Sequence, residues 1–476
     1  MINKPQFFIN GEWLDKKNRP SLDLINPATE EVEGQLQLGN AADVDLAVIA
    51  AKNAFPGFSS TTIDTRVHFL QKIVKGYQER ARDIGLTISR EMGAPLAFAM
   101  RFQVGAGLSH FKEILRLLKT YNFNEDRNKT RVIREPIGVC GMIVPWNWPM
   151  NQISCKVAPA LAAGCTMVLK PSEIAPGTAI ILAEILEEAG IPKGVFNIVQ
   201  GEGAVVGSAI SKHPDIDMVS FTGSTKAGIA VSRDASATVK RVGLELGGKA
   251  ANVLLDDVDL DDAVSRGVTL CFRNSGQSCN SPTRMLVPQK FMNDAAAIAK
   301  ITADGMSVGD PVSDDTLIGP VVSERQWNSI QEHIGKGIKE GAILVTGGPG
   351  RPDDLPKGYY IRPTIFSNVT QNMTIAQEEI FGPVLSIMAY KDEDDAVNIA
   401  NNTPYGLAAY VESKDQLRAQ SIAHRIRAGM VHLNGAGADP GAPFGGYRQS
   451  GNGREWGIYG LEEFTEIKAV MGYTVS

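Results

Sequence analysis

From Gly138 to Thr225 the chain repeats one unit: a short apolar run, a break at glycine or proline, then a helical stretch. Gly138 to Val144 is apolar and stops at Pro145. Ile153 to Ala163 has helical spacing, and Thr166 to Leu169 reads as a buried strand. Gly177 to Ala189 is helical and stops at Gly190. Val195 to Val199 is a strand ended by Gly201 and Gly203. Met218 to Phe221 is another, followed by the loop Thr222-Gly223-Ser224-Thr225. Short strands alternating with helices predict an α/β fold with a parallel sheet covered on both faces. Such sheets bind ligands at the carboxyl ends of their strands.

A second α/β segment runs from about Ala250 to Gly446. Its predicted helices are Leu260 to Arg273, Gln289 to Ala303 and Ser323 to Lys339; its strands include Met285 to Val287, Ala342 to Val345 and Leu385 to Met388. Before the first unit, Phe7-Phe8-Ile9 and Glu12-Trp13-Leu14 flank Asn10-Gly11, a hairpin signal. Ala41 to Ala54 and Thr65 to Ile84 have the spacing of surface helices. At 476 residues the chain has room for roughly three domains.

Composition removes several function classes. With 47 basic against 53 acidic residues the net charge is -6, without the basic excess of a nucleic-acid binder. No stretch reaches the ~18 apolar residues of a membrane span; the longest candidate, Ala158 to Leu169, is broken by Gly164. Met1 to Pro5 begin no signal-peptide run, so a cytoplasmic location is expected. The five cysteines (Cys140, Cys155, Cys165, Cys271 and Cys279) contain no Cys-x-x-Cys pair. Neither a disulfide framework nor a metal site is predicted; a reducing compartment with one useful thiol is.

Cys279 lies in Asn274-Ser275-Gly276-Gln277-Ser278-Cys279-Asn280. Small polar neighbours suit a turn that presents the thiol, against the competing reading of a buried structural cysteine. The other four lie in apolar contexts and are expected in the core. Glu245, between leucines and before Gly247-Gly248, is either an outward strand residue or a carboxylate with a raised pKa in a dry site, working as general base. Gly223-Ser224-Thr225 opens a helix after a strand, a context for diphosphate binding although not a Gly-x-Gly-x-x-Gly fingerprint. Lys170-Pro171-Ser172-Glu173 follows a strand and could grip ribose hydroxyls or be a solvated turn. Pro145-Trp146-Asn147-Trp148-Pro149 is a stiff loop in which Asn147 could donate to an oxyanion.

Taken together and in this order, these motifs resemble the aldehyde dehydrogenase superfamily, non-acylating and NAD-dependent, across essentially the whole chain. Glu378 to Val384 and Pro443-Phe444-Gly445-Gly446 extend the resemblance. It implies that Cys279 is the nucleophile, Asn147 an oxyanion donor, Glu245 the base that hydrolyses the thioester, and Lys156 a residue near the cofactor ribose and Asn147. It implies cofactor contacts from Val144, Pro145, Trp146, Lys170, Ser172, Glu173, Gly203, Gly207, Phe221, Gly223, Ser224, Thr225, Leu246, Glu379 and Phe381. Glu173 would repel a 2′-phosphate, favouring NAD over NADP.

The resemblance also divides the chain. Residues 1–121 and 137–246 are expected to form a Rossmann-like NAD domain, and 247–450 an α/β catalytic domain. Residues 122–136 and 461–476 are expected to form a small β oligomerisation arm of a homodimer or homotetramer, with Phe464 to Val470 as an edge strand. Trp148, Asn151, Arg273 and Phe444, with Gln152, Cys155 and Phe272, are expected around the aldehyde, and Asn434 to Ala442 as the outer wall. Arg273 suggests a polar, hydroxy- or carboxy-aldehyde, unless it closes an internal salt bridge. The alternatives are a CoA-acylating dehydrogenase, a non-catalytic protein that has kept the fold, and a cysteine hydrolase.

Overall fold

The computed structural model describes residues 6–15 and 19–474. Met1 to Pro5, on which the absence of a signal run was read, and the last two residues of the C-terminal arm segment lie outside the described residues. No helix among the described residues is long and apolar enough to cross a membrane.

Two seven-stranded sheets form the frame. In the first, Arg241–Glu245, Met218–Thr222, Val139–Ile143, Thr166–Lys170 and Phe196–Ile198 lie side by side and parallel. Phe7–Ile9 adds antiparallel to the last of these and turns into Glu12–Leu14. Asn10 and Gly11 both take positive φ (54° and 70°), as that tight hairpin turn requires. The apolar runs are continuous because both faces are covered: Met142, Met167 and Leu169 enter the core on one side, Val139, Val168 and Val219 the core on the other. Each such side chain contributes about 1.5–3 kcal/mol on burial.

The second sheet runs Ile343–Thr346, Thr364–Ser367, Val384–Tyr390, Arg284–Pro288, Ala251–Leu254, Ala408–Glu412 and Met430–Leu433; the first of these is its one antiparallel strand. Thr465–Met471 pairs antiparallel with Thr130–Pro136, which pairs with Asn124–Arg127. The predicted edge strand is thus present, one residue later than read.

Some elements differ from expectation. Thr65 to Ile84 is two helices, Ile63–Glu79 and Ala81–Met92. The chain bends at Arg80, whose guanidinium reaches Asp83 at 2.8 Å and Glu184 at 3.0 Å. The helix read from Ile153 starts at Pro149, which needs no N–H in the first turn. That helix is buried on every side, so it carries no amphipathic period at its start. Gln289 to Ala303 divides into a 3-10 turn at Gln289–Phe291 and the helix Met292–Asp304. The hairpin Ser21–Asn26 with Glu31–Gln37 went unread because its strands are polar; among its side chains Leu24 and Leu36 are buried.

The second sheet is tied by Arg284, 1% exposed. Its guanidinium donates to the carbonyls of Lys249 (3.0 Å), Ile399 (2.9 Å) and Ala400 (2.8 Å). Arg284→Ala strips three buried acceptors at once and is expected to destabilise the protein by about 3–5 kcal/mol. A urea unfolding midpoint equal to that of the unaltered protein would show that these bonds are not needed.

Candidate active site

The carboxyl ends of the first sheet's strands face the amino ends of the second sheet's: Glu245 ends a strand of the first, and Gly248, Cys279 and Leu407, which meet just beyond it, each stand ahead of a strand of the second. Glu245, ending a strand of the first sheet, bridges to Gly451, and Phe444 bridges to Glu455. Between them stands the loop of Cys279.

That loop is held under strain. After the helix Leu260–Phe272, Asn274 (φ 55°), Ser275 (φ 56°) and Gly276 (φ 73°) are successively left-handed. Each non-glycine residue there costs about 1–2 kcal/mol. Side-chain bonds offset the cost. Asn274 Nδ2 donates to the carbonyls of Asn147 (3.0 Å) and Gln277 (3.1 Å), and its Oδ1 accepts from Gln103 Nε2 at 2.9 Å. Ser275 Oγ donates to Gly319 O at 2.8 Å, and Val322 N donates to Gln277 Oε1 at 2.9 Å. At Gly276 a Cβ would lie 2.1 Å from Gly382 O, so only glycine passes.

The tryptophan loop is laced to the same turn. Asn147 Nδ2 donates to Gln277 O at 3.1 Å, and Trp148 Nε1 to Ser278 Oγ at 2.9 Å. Cys279 emerges half-buried, whereas the other four cysteines are buried as expected. Burial, then the Glu379 and Glu245 carboxylates, raise the Cys279 pKa, so the resting group is a thiol.

Glu245 is 3% exposed, and among the described residues neither carboxylate oxygen has a hydrogen-bond partner. Burial first, then the Glu455 carboxylate, lift its pKa well above the carboxylate range, against Lys156 and Arg454. The glycines after it admit neighbours. A Cβ on Gly247 would lie 2.2 Å from Glu379 Oε2, and one on Gly248 2.7 Å from Cys279 O. Glu379 accepts from Gly248 N at 3.0 Å, and burial raises it to about 7.

Lys156, on the helix after the tryptophan loop, donates its ammonium to Ser220 Oγ at 2.9 Å and pairs closely with Glu455. Glu455 also accepts from Cys155 Sγ at 3.3 Å. It borders both a cavity with room for about one water beside Glu245 and a channel of about 700 Å³ that ends at Cys279. Sequence reasoning missed Glu455, because only the Phe444–Glu455 bridge brings it to the site. It also assigned no role to Gln103, which acts through Asn274.

Trp148, Asn151, Gln152, Arg273 and Phe444 line the channel, and Gly435 to Ala438 form part of its wall. Phe272 does not: it is fully buried in the core under the second sheet, because its helix turns that face inward. Cys155 is turned to Glu455 instead.

Most of the predicted cofactor residues lie at or just past the carboxyl ends of the first sheet's strands. Strand order reverses between Val139–Ile143 and Met218–Thr222, and a crevice at such a point takes nucleotides. Val144, Pro145 and Trp146 leave one of these strands; Phe221 lies in the other, which leads into Gly223 and Ser224. Ser224 caps the helix that opens at Thr225, accepting from Ala227 N at 3.3 Å. Lys170 is anchored on Pro171 O (2.7 Å), Gly201 O (2.9 Å) and Glu173 Oε2 (2.9 Å). The other Glu173 oxygen has no partner among the described residues, a free acceptor of the kind ribose hydroxyls take. Ser172 Oγ accepts from Ile174 N at 3.3 Å. Gly203 and Gly207 bound a π-helical turn, and a Cβ on Gly203 would meet nothing. Leu246 packs on Gly228. Phe381 (φ 60°) stands edge-on to Trp146 at 5.5 Å.

Residues 13–470 match the aldehyde dehydrogenase family. The chain belongs to the aldehyde dehydrogenase family. A 3-succinoylsemialdehyde-pyridine dehydrogenase of a Pseudomonas species is 54% identical over 469 residues, 98% of each chain. Aldehyde dehydrogenase C of Pseudomonas syringae, solved as a mutant with NAD+ and octanal, superposes with a TM-score of 0.98 at 49% identity, over 99% of this chain and 98% of that one. An aldehyde dehydrogenase of Mycobacterium tuberculosis, solved with NAD+, gives 0.96 at 41% identity over 99% of each. This aldehyde dehydrogenase is an NAD-dependent oxidoreductase.

Gly276→Ala is expected to lower both stability and turnover, since its Cβ would push the turn off Gly382 and carry Cys279 with it. Thermal melting and NADH production measure the two effects. A variant that keeps both would show that the turn tolerates the displacement.

Proposed function

We propose that this aldehyde dehydrogenase oxidises a polar aldehyde to its carboxylic acid through Cys279, with water as the final acceptor of the acyl group. The observation carrying this reading is the pairing of a half-buried thiol at the foot of the channel with Glu245, a buried carboxyl free of partners.

Cys279 Sγ releases its proton to solvent through the channel and adds to the carbonyl carbon, giving a thiohemiacetal oxyanion. The oxyanion is held by the Cys279 N–H and Asn147 Nδ2, whose amide has a second hydrogen beyond the one given to Gln277. NAD, when bound, supplies the hydride acceptor, and the carbon left on sulfur is a thioester. Glu245 takes a proton from water, hydroxide adds to the thioester, and the acid leaves as Sγ is restored. Glu455 and Lys156, next to Glu245, pass that proton outward. Glu245 favours this route over transfer to CoA, which needs no hydrolytic base.

Glu173 supports NAD over NADP, and Glu379 and Phe381 are assigned to the nicotinamide half. Residues 1–121 with 137–246 are assigned to the cofactor domain and 247–450 to the catalytic domain. Residues 122–136 and 461–476 are assigned to the arm of a homodimer or homotetramer. Ile467 (62% exposed) and Met471 (76%) on the arm's outer strand support such a contact. Cytoplasmic location fits five cysteines free of disulfides. A polar substrate fits Arg273 and the pyridine semialdehyde named for the 54% identical relative.

Glu245→Gln is expected to release about one NADH per site in a burst and then stall, with steady turnover down about 100-fold or more. CoA should not restore it. Steady turnover near that of the unaltered enzyme would remove Glu245 from the hydrolytic step. Since the raised Glu245 must be deprotonated to act, kcat of the unaltered enzyme should climb with pH where ordinary carboxyls are already ionised. A flat profile from acid to alkaline pH would contradict that assignment.

A further inference from the structure

The helix leading to the channel is interrupted by a π-helical turn at Ala99–Gln103. Such turns recur at functional sites because they re-aim side chains at the cost of regular bonding. Here three residues of the turn have separate tasks. Gln103 points inward to Asn274 and steadies the nucleophile loop. Phe102 lines the channel. Arg101 is exposed and sets its guanidinium 5.1 Å from the centre of the Phe102 ring.

A second guanidinium shares that ring. Arg273, at the start of the nucleophile turn, also lies 5.1 Å from the Phe102 centroid and lines the channel. It is exposed, so the internal salt bridge considered from sequence is not formed: among the described residues no carboxylate lies within ion-pair distance of Arg101 or Arg273. The other cation on the channel wall is spent, since Arg266 pairs with Glu412 at 2.9 Å and Asp262 at 2.6 Å. Other parts of the wall are aromatic: Phe98 lies tilted against Phe102 at 5.1 Å and edge-on to Trp148 at 5.6 Å, and Phe444 stacks on Trp456 at 4.5 Å. Aromatic rings thus line much of the passage, with one unpaired guanidinium, Arg273, on its wall and a second, Arg101, against the same Phe102 ring. A cation over a ring face keeps N–H groups available, and a guanidinium is the cation that meets a carboxylate with two of them.

We propose that Arg101 and Arg273, braced on Phe102, form a recognition site for the anionic tail of the substrate, so that the preferred substrates are ω-carboxyaldehydes with an apolar middle. This rests on the dehydrogenase reading and names its substrate class. The aldehyde end reaches Cys279 while the carboxylate stays at the guanidiniums, so the binding energy of the tail orients the carbonyl carbon at sulfur.

The test is NADH production by the whole enzyme over a homologous series of ω-carboxyalkanals, each beside the n-alkanal of the same length. The expected ratio of kcat/KM, charged over neutral, is about 10–100 at the length that spans the channel, the worth of a charge-assisted bond. In Arg101→Leu/Arg273→Leu that ratio should fall to about one, and in Arg101→Lys/Arg273→Lys it should be intermediate. Added salt should lower kcat/KM of the unaltered enzyme for the charged series alone. A ratio near one at every length, or a ratio that survives the double leucine variant, overturns the proposal while n-alkanal turnover leaves the dehydrogenase reading standing. Absence of NADH from both series would bring down that reading and this one with it.

Discussion

Everything at the catalytic centre depends on three successive left-handed residues, Asn274, Ser275 and Gly276. A turn this tight reverses the chain within a few ångströms of the end of its helix and delivers Cys279 to the seam between the sheets. The backbone would not hold it unaided. The bonds that do come from elsewhere: Gln103 from the π-helical turn Ala99–Gln103, Asn147 from the loop after Val139–Ile143, Gly319 and Val322 from the loop before the helix Glu324–Lys339. The nucleophile is therefore positioned by agreement between both halves of the molecule, and a loosening of either reaches the thiol.

The electrostatics follow from the same closure. Glu245, Glu379 and Glu455 converge on one dry seam, with Lys156 as the near cation. Burial raises Glu245, Glu379 and the Cys279 thiol together, Glu379 to about 7. Glu379 is steadied by a backbone N–H; Glu245 is not. A carboxyl bonded on both oxygens would be a poor base, because each bond would break before a proton could be taken from water. The unpartnered state costs stability in the resting protein and leaves the group free for the water it must deprotonate.

Much of this was written locally in the chain. Continuous apolar runs between glycines gave the parallel sheets, Asn10-Gly11 the hairpin, and Cys279 differed from the other cysteines through its small polar neighbours. The glycines after Glu245 admit Glu379 and the Cys279 carbonyl, which come from far along the chain. Contacts of that kind were illegible. Glu455 looks like an ordinary charged residue before Trp456, and Lys156 would pass for a lysine near the cofactor until Glu455 is seen beside it. Phe272 and Arg273 are neighbours that diverge, one into the core and one into the channel, because the helix ends between them.

In the proposed reaction, the pairing of Glu455 would let the buried base Glu245 work repeatedly. One of its oxygens is held by Lys156, a strong donor, and the other by Cys155, a weak one. The asymmetry fixes the carboxylate while leaving one oxygen easy to release. That oxygen belongs to a group bordering both the water-sized cavity at Glu245 and the channel. A proton taken up by Glu245 thus has a neighbour that can accept it without either carboxyl leaving the seam. In the proposed reaction, the weak thiol bond, unremarkable in the sequence, is the first that such a hand-over would break.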